Sequence, residues 1–435
     1  MKRTAIIILT ISFALMAAST ATTTAQNSEN VRITPQLKAA LQQYDHESWS
    51  FGEGEGLFIV SKNGYFGFIN NRGEEVIPCK LNYIYCSVFN EGLAIVRGKN
   101  YKYGAINKKG EVVVPCKYDN INGFNEGVAL VEINYKYGFI NNKGKEIVPC
   151  TYDVAQDFQE GLALVIKNRK CGFINSQGKL VVPLIYDYAN DFHDGLAVVG
   201  KNDNYGIINK NGDEVMPCSL YLNSHYNFLF SDFNNGVASF YTSYPEKKSG
   251  IVNSKGEVKF LTYDIIEAFH DGYAAVCCND KWGFVNIKGE EVVSCKYDPR
   301  TVSYHAFFSN GLAPVCLNDK YGYVDTKGKL VVPFKYDRAY SFSDGMALVC
   351  RNDKWGYINS SGKEIIPCKY DVNHEEDFCH IGDSFFSNGI AVVYSWSTNK
   401  ITTALIDKYG NTTFSNSGNK KTGGAKKQRK TFRCR

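Results

Sequence analysis

The sequence predicts an all-β fold: tandem three-stranded antiparallel meander repeats stacked face to face, as a propeller-like or an open superhelical array. Three observations predict it. One unit recurs around Gly67, Gly104, Gly138, Gly172, Gly206, Gly250, Gly283, Gly322 and Gly356, at spacings of 37, 34, 34, 34, 44, 33, 39 and 34 residues. A period of this size marks a repeat architecture. Each unit holds short runs of β-branched and aromatic residues separated by Asn, Asp and Gly turns, the pattern of hairpin-linked strands. The runs are also apolar on both faces, as in Leu162-Ala163-Leu164-Val165, whereas a sheet with one wet face alternates.

The copy beginning at Gly161 shows the elements in order. Gly161 to Val165 is the first strand, Lys167 to Lys170 a polar turn, and Gly172 to Asn175 the second strand. Ser176-Gln177-Gly178 turns the chain into Lys179 to Pro183, the third strand, whose Pro ends it where a missing N–H costs little. A connector follows: Tyr186-Asp187, then Phe192, then Asp194-Gly195. The glycine of the second strand marks close approach of another group. A decayed tenth copy lies near Thr403 to Asp407.

The chain divides into residues 1–25, a secretory signal peptide; 26–50, a capping segment; 51–414, nine clear repeats and one degenerate; and 415–435, a basic disordered tail. Lys2 and Arg3 precede a 13-residue apolar core, Ala5 to Ala17, shorter than the roughly 18 residues of a membrane span. With Cys79 the first cysteine, no lipid-anchor cysteine follows the leader. An exported protein is expected: periplasmic, surface-associated or extracellular. In the capping segment, Thr34 and Pro35 start a short helix that covers the first repeat.

Two copies, Trp282-Gly283-Phe284-Val285-Asn286 and Trp355-Gly356-Tyr357-Ile358-Asn359, resemble the WG-containing repeat family. The resemblance spans roughly 51–414, although most copies carry Tyr, Phe, Cys or Ser in place of the Trp. It implies a β-rich repeat of the bacterial envelope or cytoplasm. It implies no activity, no cofactor and no catalytic residues.

Charge narrows the partners. Take away the eight cations of the tail and the two of the leader, and the net charge of +5 becomes −5 for the rest. The repeat body is therefore no nucleic-acid binder. The tail is a solvated terminus or a weak tether to an anionic surface. The 14 cysteines recur at fixed repeat positions, and Cys79, Cys116, Cys150, Cys218, Cys295 and Cys368 stand where other copies have Leu184 or Phe334. Reduced core thiols are expected before disulfides. Periodic acids, such as Asp119 and Asp153 after Tyr and Glu126 and Glu160 before Gly, read as turn acceptors. The repeated lysine before the aromatic–Gly pair reads as a solvated turn residue.

Three connectors depart from the repeat. Pro149 to Phe158 spans nine residues, whereas Pro217 to Phe233 spans 16, Ser294 to Phe308 spans 14 and Pro367 to Phe386 spans 19. Insertions on one face of a repeat protein build its binding face. The candidate partner-binding residues are Tyr221, His225, Tyr226, Arg300, Tyr304, His305, His374 and His380. No motif supports a catalytic, metal or cofactor site. The expected function is an exported non-catalytic binding or scaffold protein that displays its connectors to a protein or glycan partner. The alternatives are an envelope polysaccharide hydrolase using paired carboxylates and a purely structural surface protein. Exposed Tyr and Trp are the natural stacking surfaces for a sugar.

Overall fold

The computed structural model describes residues 33–45, 53–221, 228–242, 248–299, 307–370, 385–387, 389–397 and 400–412. Ten antiparallel sheets follow one another: 53–81, 85–118, 120–152, 154–186, 188–221, 228–261, 265–297, 312–336, 338–370 and 390–407, numbered here 1 to 10. Most have four strands rather than the three read from sequence. In sheet 4 these are Val154–Ala155, Leu162–Lys167, Lys170–Asn175 and Leu180–Tyr186, paired in order. The added strand is the two-residue Val154–Ala155, too short to show a periodicity inside the connector.

Turn chemistry fixes the meander. Glu160 and Gly161, with φ of 52° and 85°, make the two-residue left-handed turn between strands one and two. Asn168 and Arg169 do the same between strands two and three. Positive φ at both positions matches the twist of a hairpin. The last turn is closed by Asn175, whose side-chain oxygen accepts from the N–H groups of Gln177 at 3.1 Å and Lys179 at 3.0 Å.

Sheets pack large on small. Ala163, Val165 and Ile174 of sheet 4 face sheet 3, while Leu162, Leu164 and Phe173 face sheet 5. The third-strand aromatic meets the connector phenylalanine of the next sheet: Phe173 lies 4.6 Å from Phe192, and Phe284 lies 4.9 Å from Phe308, centroid to centroid. Both faces are thus dry, which is why the runs do not alternate.

The array closes. Ile390 and Leu405 of sheet 10 pack with Phe58, Val60 and Ile69 of sheet 1, the same faces that meet at every other junction. Helix α1 (Pro35–Leu41), capped by Thr34, which accepts from the Leu37 N–H at 3.1 Å, adds Leu37 and Leu41 to this junction. The expected cap over sheet 1 is therefore also a wedge against sheet 10. The Ile33 N–H donates to the buried Asp407 carboxylate at 3.1 Å across 374 residues. The result is a closed, propeller-like ring. Among the described residues no helix is long and apolar enough to cross a membrane.

The repeat glycine has a local cause. Across from Gly283 the fourth strand bulges: Trp282 pairs with Tyr297, but Phe284 pairs with Val293. The bulge folds over the glycine, so a Cβ there would meet the Val293 carbonyl oxygen at 2.3 Å and the Cys295 nitrogen at 2.8 Å. The repeat cysteine fills the space above it, and Cys150 reaches the Val131 carbonyl at 3.8 Å. All 12 described cysteines are free, and burial pushes the Cys295 thiol up to about 12 and Cys368 to about 11. Thiols held protonated are poor nucleophiles for disulfide exchange.

Gly283→Val should cost about 1–3 kcal/mol, because backbone cannot yield to the new side chain as a flexible side chain would. Denaturant unfolding reads this directly, and a midpoint equal to that of the native chain would contradict the close approach.

Candidate functional site

The meander gives each sheet two ends. Acid–Gly turns and Asn-x-x-Gly turns lie at one, which we term the glycine edge. The second–third hairpins and the connectors between sheets lie at the other, the connector edge. Each edge carries a ring of carboxylates that ties neighbouring sheets together.

At the glycine edge the acid of one turn accepts from the glycine N–H of the next sheet. Glu91 takes Gly127 at 2.8 Å, Glu126 takes Gly161 at 2.7 Å, and Asp194 takes Gly236 at 2.7 Å. At the connector edge the Asp after Tyr bridges two sheets. Asp298 accepts from the Lys281 ammonium at 2.8 Å and from the Asn318 N–H at 2.7 Å. The lysine hydrogen bond holds Asp119, Asp153, Asp187 and Asp298 below the usual carboxylate range. The repeated lysine is solvated, as its turn position suggested, and is also an ion-pair partner. Its reach matches the 17-residue step to the aspartate, which a reading confined to one turn misses.

The segments around the first strands of consecutive sheets touch, and we term this line of contacts the inner rim. Short side chains span the gap there: Asn90 Nδ2 donates to the Phe124 carbonyl at 2.6 Å, and Asn125 Nδ2 to that of Phe158 at 2.7 Å. On this rim stand three acids absent from the sequence reading. Asp157, Asp191 and Asp232 each precede the connector phenylalanine in sheets 4, 5 and 6. Two of them face an amide of the sheet before. Asn122 donates to Asp157 at 2.9 Å, and the Gln156 amide, turned so that its nitrogen donates, meets Asp191 with one contact at 2.7 Å. His193 Nε2 lies 3.5 Å from Asp232.

Enclosure by the ring sets their protonation. Desolvation, then the charges of Asp232 and Asp157, pushes Asp191 up to about 7. Desolvation likewise raises Asp157, Asp232 and Glu267, opposed at Asp157 by the Asn122 hydrogen bond. The Asp232 side chain keeps 50 % of its surface accessible. Water reaches it, yet protein surrounds it. Across the rim the same sequence position holds Phe307, Ser341 and Phe385, with His270 stacked 4.4 Å from Phe307. One signal was present in the sequence: an acid directly before the connector phenylalanine occurs in three consecutive units, where other units have Val88, Gly123 or Ala268.

Of the residues chosen from sequence, Tyr221 ends the fourth strand of sheet 5, pairs with Asn204 and is 57 % exposed. His225, Tyr226, Arg300, Tyr304, His305, His374 and His380 lie outside the described residues. The described ends of the three enlarged connectors are Tyr221, Pro299 and Tyr370, each at the connector edge. Among the described residues no group of three or more His, Cys, Asp or Glu side chains could hold a metal ion.

The sequence pattern of the WG containing repeat matches residues 66–103, 103–137, 137–171, 172–205, 250–282, 282–321, 321–355 and 355–372. No curated protein sequence matches the chain. Among solved structures, a eukaryotic initiation factor shares 10% identity over 82% of this chain and 94% of its own, with a TM-score of 0.46. BamB from Moraxella catarrhalis shares 10% identity over 54% of this chain and 77% of its own, with a TM-score of 0.28. The tricorn protease shares 10% identity over 85% of this chain and 45% of its own, with a TM-score of 0.29. At these scores the likeness carries no functional argument.

A raised carboxylate makes stability depend on pH in a definite direction. Asp191 titrates near 3.9 in an unfolded chain and about 7 in the fold. The folded state binds the extra proton between these values, so its contribution is full below about pH 4 and is lost as pH rises through about 7. Asp191→Asn should therefore raise the thermal midpoint at neutral pH and leave it nearly unchanged at pH 4. Parallel midpoint–pH profiles for the two proteins would contradict the enclosed-carboxylate account.

Proposed function

We propose that this chain, which belongs to the WG containing repeat family, is an exported, non-catalytic scaffold that binds a protein partner on its connector edge. The observation that carries this reading is the placement of the enlarged connectors. All three begin from fourth strands on that edge, at sheets 5, 7 and 9 of one ring. The other connectors repeat too regularly to single out a partner. Tyr221, Tyr226, Tyr304 and His305 are amphipathic residues, and protein interfaces are enriched in aromatic contacts at modest entropy cost. The basic start and the apolar leader support export.

The rim acids favour scaffolding over hydrolysis. Paired-carboxylate chemistry needs one acid and one free base or nucleophile about a single bond. Asp157, Asp191 and Asp232 instead recur at one repeat position, and the first two face an amide of the preceding sheet. This is a ring-joining pattern.

Cross-linking of the full chain to envelope proteins identifies the partner. Replacing Tyr226, His305 and His374 together by Ala should then weaken its affinity at least about tenfold, or about 1.4 kcal/mol, with the thermal midpoint nearly unchanged. Unaltered affinity, or loss of the fold, would remove the connector edge as the binding face.

A further inference from the structure

The opposite arc of the connector edge carries a second feature. In sheets 4, 5, 7, 8 and 9 the second residue of the hairpin turn is Arg169, Asp203, Asp280, Asp319 and Asp353. In sheet 3 it is Tyr135, with φ of 59°; in sheet 2, whose longer turn is closed by the Gly98 N–H on the Lys102 carbonyl, Tyr101, with φ of 62°, takes the corresponding place before the lysine. Left-handed backbone suits Gly, Asn or Asp, and a bulky residue there is an outlier. Burial does not explain the choice, since Tyr101 is 65% exposed and Tyr135 86% exposed. Sheet 1 has Gly64 in the turn and places Tyr65, 43% exposed, just after it. Three neighbouring sheets thus present tyrosine at their hairpin tips, two of them against backbone preference. A bulky residue kept exposed in this conformation on neighbouring sheets points to function.

The surroundings narrow the ligand. The Arg97 guanidinium lies 5.3 Å from the Tyr101 ring and 5.0 Å from Tyr103, and its Nε donates to the Tyr101 carbonyl at 3.1 Å. The Tyr101 ring is thereby held in place before any ligand arrives. Between the tips of sheets 2 and 3, Asp119 takes both the Lys102 ammonium and the Asn134 N–H, the latter at 2.9 Å. Lys136 pairs with Asp153 beside Tyr135. These ion pairs balance their own charge, and the Arg97 guanidinium is engaged by the Tyr101 and Tyr103 rings and the Tyr101 carbonyl. They also separate the rings, so there is no contiguous apolar core of the kind a protein interface buries. A surface of separate aromatic faces flanked by charge-balanced hydrogen-bonding groups complements a neutral sugar: ring faces for the C–H side, Lys, Asp and Asn for hydroxyls. Face-to-face sheets lie about 10 Å apart, so successive tips meet a long ligand at intervals.

We propose that the hairpin tips of sheets 1 to 3 form a platform on which Tyr65, Tyr101 and Tyr135 stack against an uncharged linear polysaccharide. The platform is separate from the enlarged connectors and does not depend on the protein partner proposed for them.

The full chain is incubated with insoluble cellulose, xylan, starch and chitin, and with anionic polygalacturonate. Retention on at least one neutral polymer is expected, insensitive to salt. Tyr101→Asn with Tyr135→Asn keeps the turns, because Asn accepts the left-handed conformation, and should lower retention at least tenfold with an equal or higher thermal midpoint. Tyr65→Ala, outside the strained turns, should lower it as well. Retention of the Tyr226, His305 and His374 triple variant should be unchanged, which separates this platform from the connector site. No retention on any neutral polymer, equal retention by the double variant, or salt-sensitive retention on polygalacturonate alone would overturn the proposal.

Discussion

The connector phenylalanine seated on the third strand of the sheet before is the contact on which the stack depends, and where that strand offers an aromatic the two rings pair. It recurs as Phe68 on Phe89, Phe139 on Phe158, Phe173 on Phe192, and Tyr357 on Phe386, with centroids 4.6 to 5.1 Å apart. Such pairs add about 0.5–1.5 kcal/mol beyond the area they bury. The opposite face of each sheet must be thin to admit them, and Ala94, Ala129, Ala163, Ala197 and Ala347 make it so. One sheet alone could not bury both faces, so every sheet needs two neighbours. Ten sheets satisfy this only if the last meets the first. Closure buries the two end faces without an aromatic pair: Ile390 and Leu405 meet Phe58, Val60 and Ile69, joined by Ile33, Leu37 and Leu41.

Function follows from what the ring leaves free. Packing consumes the sheet faces, and hydrogen-bonded carboxylates consume the regular turns. What remains is the irregular part of the connector edge and the inner rim. The two arcs of that edge differ in kind: enlarged connectors on one, tyrosine-tipped hairpins on the other. On the rim, enclosure rather than contact with a ligand explains the raised Asp191. Water-accessible carboxylates surrounded by protein lose hydration without losing access to protons.

Much of this was legible in the sequence. Leu162-Ala163-Leu164-Val165 announces burial on both faces, and Gly172 announces close approach, because each depends on residues within one unit. The first strand was not legible, since Val154–Ala155 is set by pairing with Val165 and Ile166 rather than by its own pattern. Closure was not legible either. The bond from Ile33 to Asp407 joins segments with no shared repeat position, and Asp407 reads in sequence as one more turn residue. The pairing of Lys281 with Asp298 lay a half-repeat away from the turn in which the lysine was read. The enlarged connectors stood out by length alone, but of their candidate residues only Tyr221 falls within the described structure.

The central claim is a closed ring, and a distance measurement tests it most directly. Orthogonal labels at Ala39, on helix α1, and at Tyr409, in the last turn of sheet 10, sit on exposed positions at the two ends of the repeat array. Pulsed dipolar spectroscopy on the full chain should find one short, narrow distance distribution, because helix α1 packs into the junction between sheets 1 and 10. A long or broad distribution, as an open superhelix of ten sheets would give, would contradict the account.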